Sequence, residues 1–217
     1  MDVLRLVLPD ETYKEQYLQM MEEWLAFGGR LNPGALKNNG ASYEKWLNWM
    51  RDDQNILTCP ENAVPQTLYF AVNDSNELIG AVSIRHYLNE RLFVDSGYIG
   101  YGVRPSQRGK GYAKKILFLA IEKLYEKGIY EILVTCAADN IGSMKTILAN
   151  GGVFENDVTN SHGWVAPFSL VFGIFRKGIR IYEAVNTGWW YDFGFYIAII
   201  SGFGGLSLVR KKNSDNK

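Results

Sequence analysis

The run Val103-Arg-Pro-Ser-Gln-Arg-Gly-Lys-Gly-Tyr-Ala113 holds the residue types and spacing best suited to chemistry in this 217-residue chain. It leads into a segment whose apolar residues, Ala113, Ile116, Leu117, Ala120, Ile121 and Leu124, recur at intervals of three and four, so a helix begins there. A helix start exposes N–H groups without intrahelical partners and the positive end of the helix dipole. Gly109 and Gly111 let backbone come close to a phosphate, and the loop reads as built to hold an anion, a pyrophosphate above all. A Walker A loop needs Ser or Thr after Gly-Lys, whereas Lys110 is followed by Gly111. A dinucleotide fingerprint fails too, because Gly100-x-Gly102 meets Pro105 at its third position and Gly109-x-Gly111 meets Lys114. The competing reading of Arg108 and Lys110 is a solvated surface loop, and Lys114 and Lys115 read as exposed helix residues.

His86 is the second candidate. It closes a strand-like run and suits either a general base or a structural role, with Asn89, Glu90, Tyr98 and Tyr101 as neighbours able to assist. Tyrosines on a half-buried strand are more often packing than chemistry. Cys59 and Cys136 are the two cysteines, and Cys136 lies in an apolar run where a thiol behaves as a small hydrophobe. With no leader-like opening segment, a reducing, cytoplasmic location is the expectation. Lys+Arg and Asp+Glu balance at 23 each, so no overall field draws the chain to nucleic acid.

The elements that must position these residues follow from periodicity. Residues 2–8 read as a strand, and Pro9-Asp10-Glu11 caps a helix reaching about Phe27, with Tyr13, Tyr17, Met20, Met21 and Trp24 on its apolar face. Gly28–Gly40 reads as a loop bordering a pocket or as a plain connector, and Tyr43, Trp46, Leu47 and Met50 mark a second helix. Strands from Thr67 and from Glu77 form a hairpin around Asp74-Ser75-Asn76, and SGYIGYGV is a strand stopped by Pro105. The helix from Gly109 ends at Gly128, a strand spans Glu131–Cys136, and a helix spans Asn140–Asn150. Strand, glycine loop, helix, strand puts the loop at the carboxyl end of a strand, where open α/β sheets bind ligands.

Arg108-x-x-Gly111-x-Ala113 resembles the pyrophosphate signature of the GNAT acetyltransferases, which is Arg or Gln, two residues, Gly, one residue, then Gly or Ala. The preceding strand, the amphipathic helix, the strand at Glu131 and the pair Asn140 and Ser143 at the next helix start extend the likeness over residues 1–158. Within it, Arg85-His86, Leu88-Asn89-Glu90 and Gly151-Gly152 look like a bacterial group of predicted acetyltransferases. The resemblance implies an α/β (α+β) fold: a mixed, mostly antiparallel central sheet, splayed at the cofactor site and flanked by helices. It implies acetyl-CoA as co-substrate, an amine acceptor and no metal. Main chain from Arg108 through Gly109, Lys110, Gly111 and Tyr112 to Ala113 would hold the CoA pyrophosphate. Val103 would receive the pantetheine arm and offer its N–H to the developing oxyanion, and Asn140 and Ser143 would touch the same cofactor. Val103, His86 and Tyr101 are the catalytic candidates, with His86, Asn89 and Glu90 facing the acceptor. The family's usual general acid is a tyrosine seven residues after the asparagine, and Ile147 stands there. A non-catalytic acyl-CoA-binding or sensor domain is therefore an alternative to a transferase.

Residues 1–185 are expected to form the transferase domain and 186–217 a hydrophobic tail. Val153–Val158 supplies a further strand and about Phe172–Ala184 a final one. The segment from Phe193 to Val209 carries no charge, follows Trp189-Trp190-Tyr191 and precedes Arg210-Lys211-Lys212. Residues 189–212 accordingly read either as a membrane span or as a hydrophobic hairpin, a dimer-forming strand pair or an ill-ordered tail.

Overall fold

The computed structural model describes residues 3–137, 139–154, 158–159, 165–166, 168–173, 198–200 and 206–208. Strand β1 (Arg5–Val7) opens the chain, and Asp10 accepts from the Thr12 N–H to start a short 3-10 turn that runs into helix α1 (Lys14–Phe27). Ser42 caps helix α2 (Tyr43–Asp52) by accepting from the Lys45 N–H. Strands β2 (Gln66–Val72) and β3 (Leu78–Arg85) form the expected hairpin, and the Asn73 side chain accepts from the N–H groups of Ser75 and Glu77 to shape its turn. Strand β3 stops at Arg85, before the end of the apolar run. A helix that periodicity did not reveal, α3 (Glu90–Asp95), follows with Asn89 as its cap. It is only six residues long, too short to show a helical period.

Strand β4 (Ile99–Val103) leads through the glycine loop to helix α4 (Tyr112–Glu126), then to strand β5 (Glu131–Cys136) and helix α5 (Ile141–Leu148). Short strands β6 (Val153–Phe154), β7 (Val158–Thr159), β8 (Val165–Ala166) and β9 (Phe168–Gly173) complete the first unit, with β6 antiparallel to β9 and β7 to β8. The chain divides near Phe172 and Gly173. In the second unit β10 (Ala198–Ile200) pairs antiparallel with β11 (Leu206–Leu208). The expected domain boundary at 185, most of the final strand over 172–184 and the flanks of the 189–212 segment lie outside the described residues. Among the described residues no helix is long and apolar enough to cross a membrane.

The first sheet has the order β1-β2-β3-β4, antiparallel throughout, and a second sheet has the order β5-β9-β6. The first sheet is covered on both faces. Helix α4 packs Ile116, Leu117, Ala120, Ile121 and Leu124 against Ile79, Val82, Ile84 and the Ile99-Tyr101-Val103 side of β4. On the other face α1 and α2 bring Tyr17 and Trp46 onto Phe70, with ring centroids 4.4 Å apart for Tyr17–Trp46 and 6.0 Å for Trp46–Phe70. Two covers explain why β3 is buried almost end to end and reads as one apolar run.

Among the described residues the two sheets are bonded to each other at one point. The Tyr98 N–H donates to the Leu133 carbonyl at 2.8 Å, and Gly97 bridges to Val134. Beyond that contact the described residues form no ladder between β4 and β5, so the sheets part along β4 toward Val103. Gly97 makes this vertex possible: its φ is +64°, and a Cβ there would lie 2.3 Å from the Leu133 carbonyl oxygen. Gly128, with φ +78° and open space around it, serves as a control. Gly128→Ala should lose about 1 kcal/mol of stability from the left-handed conformation alone. Gly97→Ala should lose at least about 2 kcal/mol more, because backbone must move as well. Denaturant unfolding of the two variants checks the difference.

Candidate active site

The loop after β4 is anchored by two carboxylates distant in sequence. Arg104 is buried, pairs with Glu23 of α1 and donates from Nη1 to the Leu78 carbonyl at 3.2 Å. Glu23 also accepts from the Ser106 N–H at 3.3 Å and the Ser106 hydroxyl at 2.8 Å. Glu77 accepts from Gln107 Nε2 at 2.8 Å, and Gln107 Oε1 in turn accepts from Lys110 Nζ at 2.7 Å. Arg108 turns back toward the strand: its Nε donates to the Val103 carbonyl at 3.1 Å and its guanidinium lies over the rings of Trp24 and Phe27, 5.3 and 4.5 Å from their centroids.

These anchors bind main chain only as far as Ser106, and the Arg108 N–H, expected to face the pyrophosphate, donates instead to the Pro105 carbonyl at 3.3 Å. Among the described residues the N–H groups of Gly109, Lys110, Gly111 and Ala113 have no intramolecular acceptor. Gly109 and Gly111 have φ of +77° and +82°, and a Cβ at Gly109 would meet nothing within 4 Å. The glycines are there for the backbone turn, which aims successive N–H groups outward at the start of a 15-residue helix. The surroundings suit a diphosphate: donors, a helix dipole and Lys110 at its rim.

The free edge of β4 shows a second pattern. Successive N–H groups of a strand point to opposite sides, and the Arg104 N–H donates to the Ile79 carbonyl of the β3 side at 2.9 Å. The Val103 N–H therefore faces away from β3, into the parting of the sheets. The carbonyls on that same side are already taken: Asn32 Nδ2 donates to the Tyr101 carbonyl at 3.0 Å and Arg108 Nε to that of Val103. The edge thus presents donors with its acceptors capped, an arrangement suited to negative charge developing on a thioester oxygen.

Tyr101 reaches from β4 to α5, where its hydroxyl lies 2.9 Å from Ser143 Oγ. Burial pushes its phenol up to about 12, so it stays protonated at neutral pH. Asn140 Oδ1 accepts from the Ser143 N–H at 3.0 Å and caps α5. Of the residues expected at the site, Val103 and 108–113 are joined through Arg108, while Tyr101, Ser143 and Asn140 form a linked group. His86 sits elsewhere. It bonds Thr67 Oγ1 at 2.8 Å, and burial followed by the Lys127 charge lowers its pKa. Lys127 closes the end of α4 remote from the glycine loop, about 22 Å away by helix rise. Asn89 Oδ1 is used in capping α3, and Glu90 is exposed in its first turn. Cys136 is buried with its thiol pushed up to about 11, in keeping with an inert role. Glu23, Asn32, Glu77 and Arg104 were not legible as site residues, since their partners lie tens of residues away.

The model of the acetyltransferase (GNAT) family matches residues 33–151, more than half of the chain. The chain belongs to the GNAT acetyltransferase family. No curated protein matches the sequence. Among solved structures, the microcin C7 self-immunity acetyltransferase MccE, in complex with acetyl-CoA and AMP, is 20% identical with a TM-score of 0.55, covering 77% of this chain and 90% of its own. RimJ of Mycobacterium smegmatis, in complex with CoA-disulfide, is 17% identical with a TM-score of 0.57, covering 78% and 80%. YncA of Salmonella typhimurium, with its cofactor acetyl-CoA, is 11% identical with a TM-score of 0.55, covering 81% and 96%. At such identities the likeness is one of fold, and it agrees with the mixed sheet and flanking helices.

Acetyl-CoA is the co-substrate of this GNAT chain, and the amides of Gly109, Lys110, Gly111 and Ala113 fit its diphosphate. Where the family's tyrosine acid is expected, Ile147 is fully buried in the core. The loop's dependence on Glu23 gives a test. Hydrogen bonding from Arg104 holds the Glu23 carboxyl below its ordinary 4.5, so its contribution is present above that pH and is lost as pH falls through the folded value. Glu23→Gln strands the Arg104 charge and should cost about 2–3 kcal/mol near pH 7. The gap from wild type should narrow in acid. Urea unfolding at pH 7 and pH 4 checks both points.

Proposed function

We propose that the chain is an N-acetyltransferase in which an amine attacks the thioester carbonyl of acetyl-CoA directly. The observation that carries this reading is the set of amides at Gly109, Lys110, Gly111 and Ala113, without acceptors among the described residues and standing at the mouth of a parting between two sheets. With the diphosphate on those amides, the pantetheine arm would run along the free edge of β4. The thioester oxygen would then meet the Val103 N–H, and a preorganised donor of this kind is commonly worth about 3–4 kcal/mol in the transition state. Asn140 and Ser143 would border the same arm.

An alkyl amine is almost wholly protonated at neutral pH, so a base or a water leading to one must remove a proton before attack. Attack makes the C–N bond, and collapse breaks the C–S bond with release of CoA thiolate. Tyr101, protonated and bonded to Ser143, is the group proposed to return a proton to that thiolate in place of the missing tyrosine. His86, neutral and held by Thr67, would serve the acceptor side if the acceptor reaches that end of the sheet, with Asn89 and Glu90 nearby in sequence. MccE is an acetyltransferase of microcin C7 self-immunity, and RimL is a ribosomal L7/L12 α-N-protein acetyltransferase, so both small molecules and protein N-termini are reasonable acceptor classes to test. The free thiols Cys59 and Cys136 accord with a reducing, cytoplasmic setting.

The second reading is a non-catalytic acyl-CoA-binding protein, favoured by the buried Ile147. Acetyl-CoA at a hundred times its dissociation constant should add about 2.7 kcal/mol of stability. For a domain of this size that raises Tm by roughly 5–10 °C. Gly111→Val should blunt the shift, and its absence in wild type would dismiss both readings. Release of free thiol that depends on an added amine establishes the transferase, and a thermal shift without such release leaves the binder.

A further inference from the structure

Arg85 is a partly buried cation without a counter-ion among the described residues. It lies at the end of β3, and its Nη1 donates to the Gly97 carbonyl at 2.8 Å. It joins no ion pair among the described residues, and neither does Arg91 beside it in α3. The other guanidinium nitrogens of Arg85 have no partner among the described residues, yet they are not among the side-chain atoms sealed from solvent. Burial, followed by the Arg91 charge, lowers the Arg85 pKa to about 10, which leaves it a full cation at neutral pH. A single neutral carbonyl does not require a guanidinium, and a partly buried cation within the influence of a second one leaves its solvent-reached N–H groups ready for an anion.

Its location narrows what that anion belongs to. The Arg85 N–H bonds the Tyr98 carbonyl, and the next pairs along the ladder are Ser83 with Gly100 and Ala81 with Gly102. Side chains alternate along a strand, so Arg85 shares the face of Ala81, which belongs to the α1/α2 core, and not that of Ile84 under α4. Gly97 is the vertex where the sheets meet. The diphosphate loop lies at the opposite, open end of β4, about 17 Å away at five residues of strand rise. With the diphosphate on that loop, the anionic groups of acetyl-CoA would sit at the open end and its reactive end would point toward the vertex, which leaves Arg85 to the other reactant.

On the acetyltransferase reading, we propose that Arg85 and Arg91 form an anion subsite for the acceptor, which is then an amine carrying a carboxylate or a phosphate within a few bonds of its nitrogen. A guanidinium fork suits either group through paired N–H donors.

The test compares kcat/KM for three acceptors with one shared amine: alanyl-asparagine amide, alanyl-aspartate amide and alanyl-phosphoserine amide. Wild type should prefer one or both charged acceptors by roughly tenfold or more, the scale of a charge-assisted contact. The two charged arms tell carboxylate from phosphate. In Arg85→Met the ratio of charged to neutral acceptor should fall toward one, and in Arg91→Gln, an exposed position independent of the core, it should fall part of the way. No charge preference in wild type, or a preference untouched in both variants, overturns the subsite and leaves the transferase reading standing. If acetyl-CoA shifts Tm but none of the three amines nor a wider amine panel is consumed, the transferase reading fails and the subsite with it.

Discussion

Everything at the cofactor end of this protein depends on keeping a row of backbone N–H groups unpaired. Buried or half-buried amides normally find acceptors, and a glycine-rich loop is free enough to fold onto its own carbonyls. Here the loop is denied that collapse because its side chains are tied elsewhere: Arg104 and Ser106 to Glu23, Gln107 to Glu77, Lys110 to Gln107, Arg108 to the Val103 carbonyl. With the side chains committed, the amides of Gly109, Lys110, Gly111 and Ala113 remain available to an anion, and the dipole of α4 adds to their pull.

The parting of the sheets belongs to the same design. Strand β4 is held on one edge by β3 and loses its other neighbour after Tyr98, so its remaining free edge turns the Val103 N–H toward the gap. Asn32 and Arg108 cap the carbonyls of that edge, which converts a strand edge from a mixed row of donors and acceptors into a donor surface. The loop carrying Asn32 is in turn held against β4 because Gly100 and Gly102 have no side chains to hold it off; a Cβ on Gly102 would lie 2.0 Å from the Asn32 carbonyl oxygen. The alternation Ile99-Gly-Tyr-Gly-Val103 thus packs one face under α4 and admits a loop on the other.

Much of this was legible in the sequence. The helix behind the glycine loop, strand Glu131–Cys136 and the cap at Asn140 follow from local periodicity and turn chemistry, and the structure agrees with them closely. The turn between β4 and α4 was legible because Gly109 and Gly111 are the residues that its left-handed backbone favours. Helix α3 was not, being six residues long, and neither was the function of Glu23, which meets Ser106 83 residues onward. His86 shows the limit from the other side: residue type made it a candidate base, and the structure pairs it with Thr67 at the far end of α4. Arg85, its neighbour in sequence, enters the sequence reading only as part of a family likeness, since having no counter-ion among the described residues is a property of the fold and not of the residue.

The claim that the main chain of 109–113 is the diphosphate cradle can be read directly from amide resonances. In an 15N-labelled sample titrated with CoA, the N–H signals of Gly109, Lys110, Gly111 and Ala113 should show the largest shifts in the spectrum, moving downfield as each gains an acceptor. Gly128, a left-handed glycine at the opposite end of the same helix, should stay in place. Signals at 109–113 that do not move while others report binding would contradict the cradle.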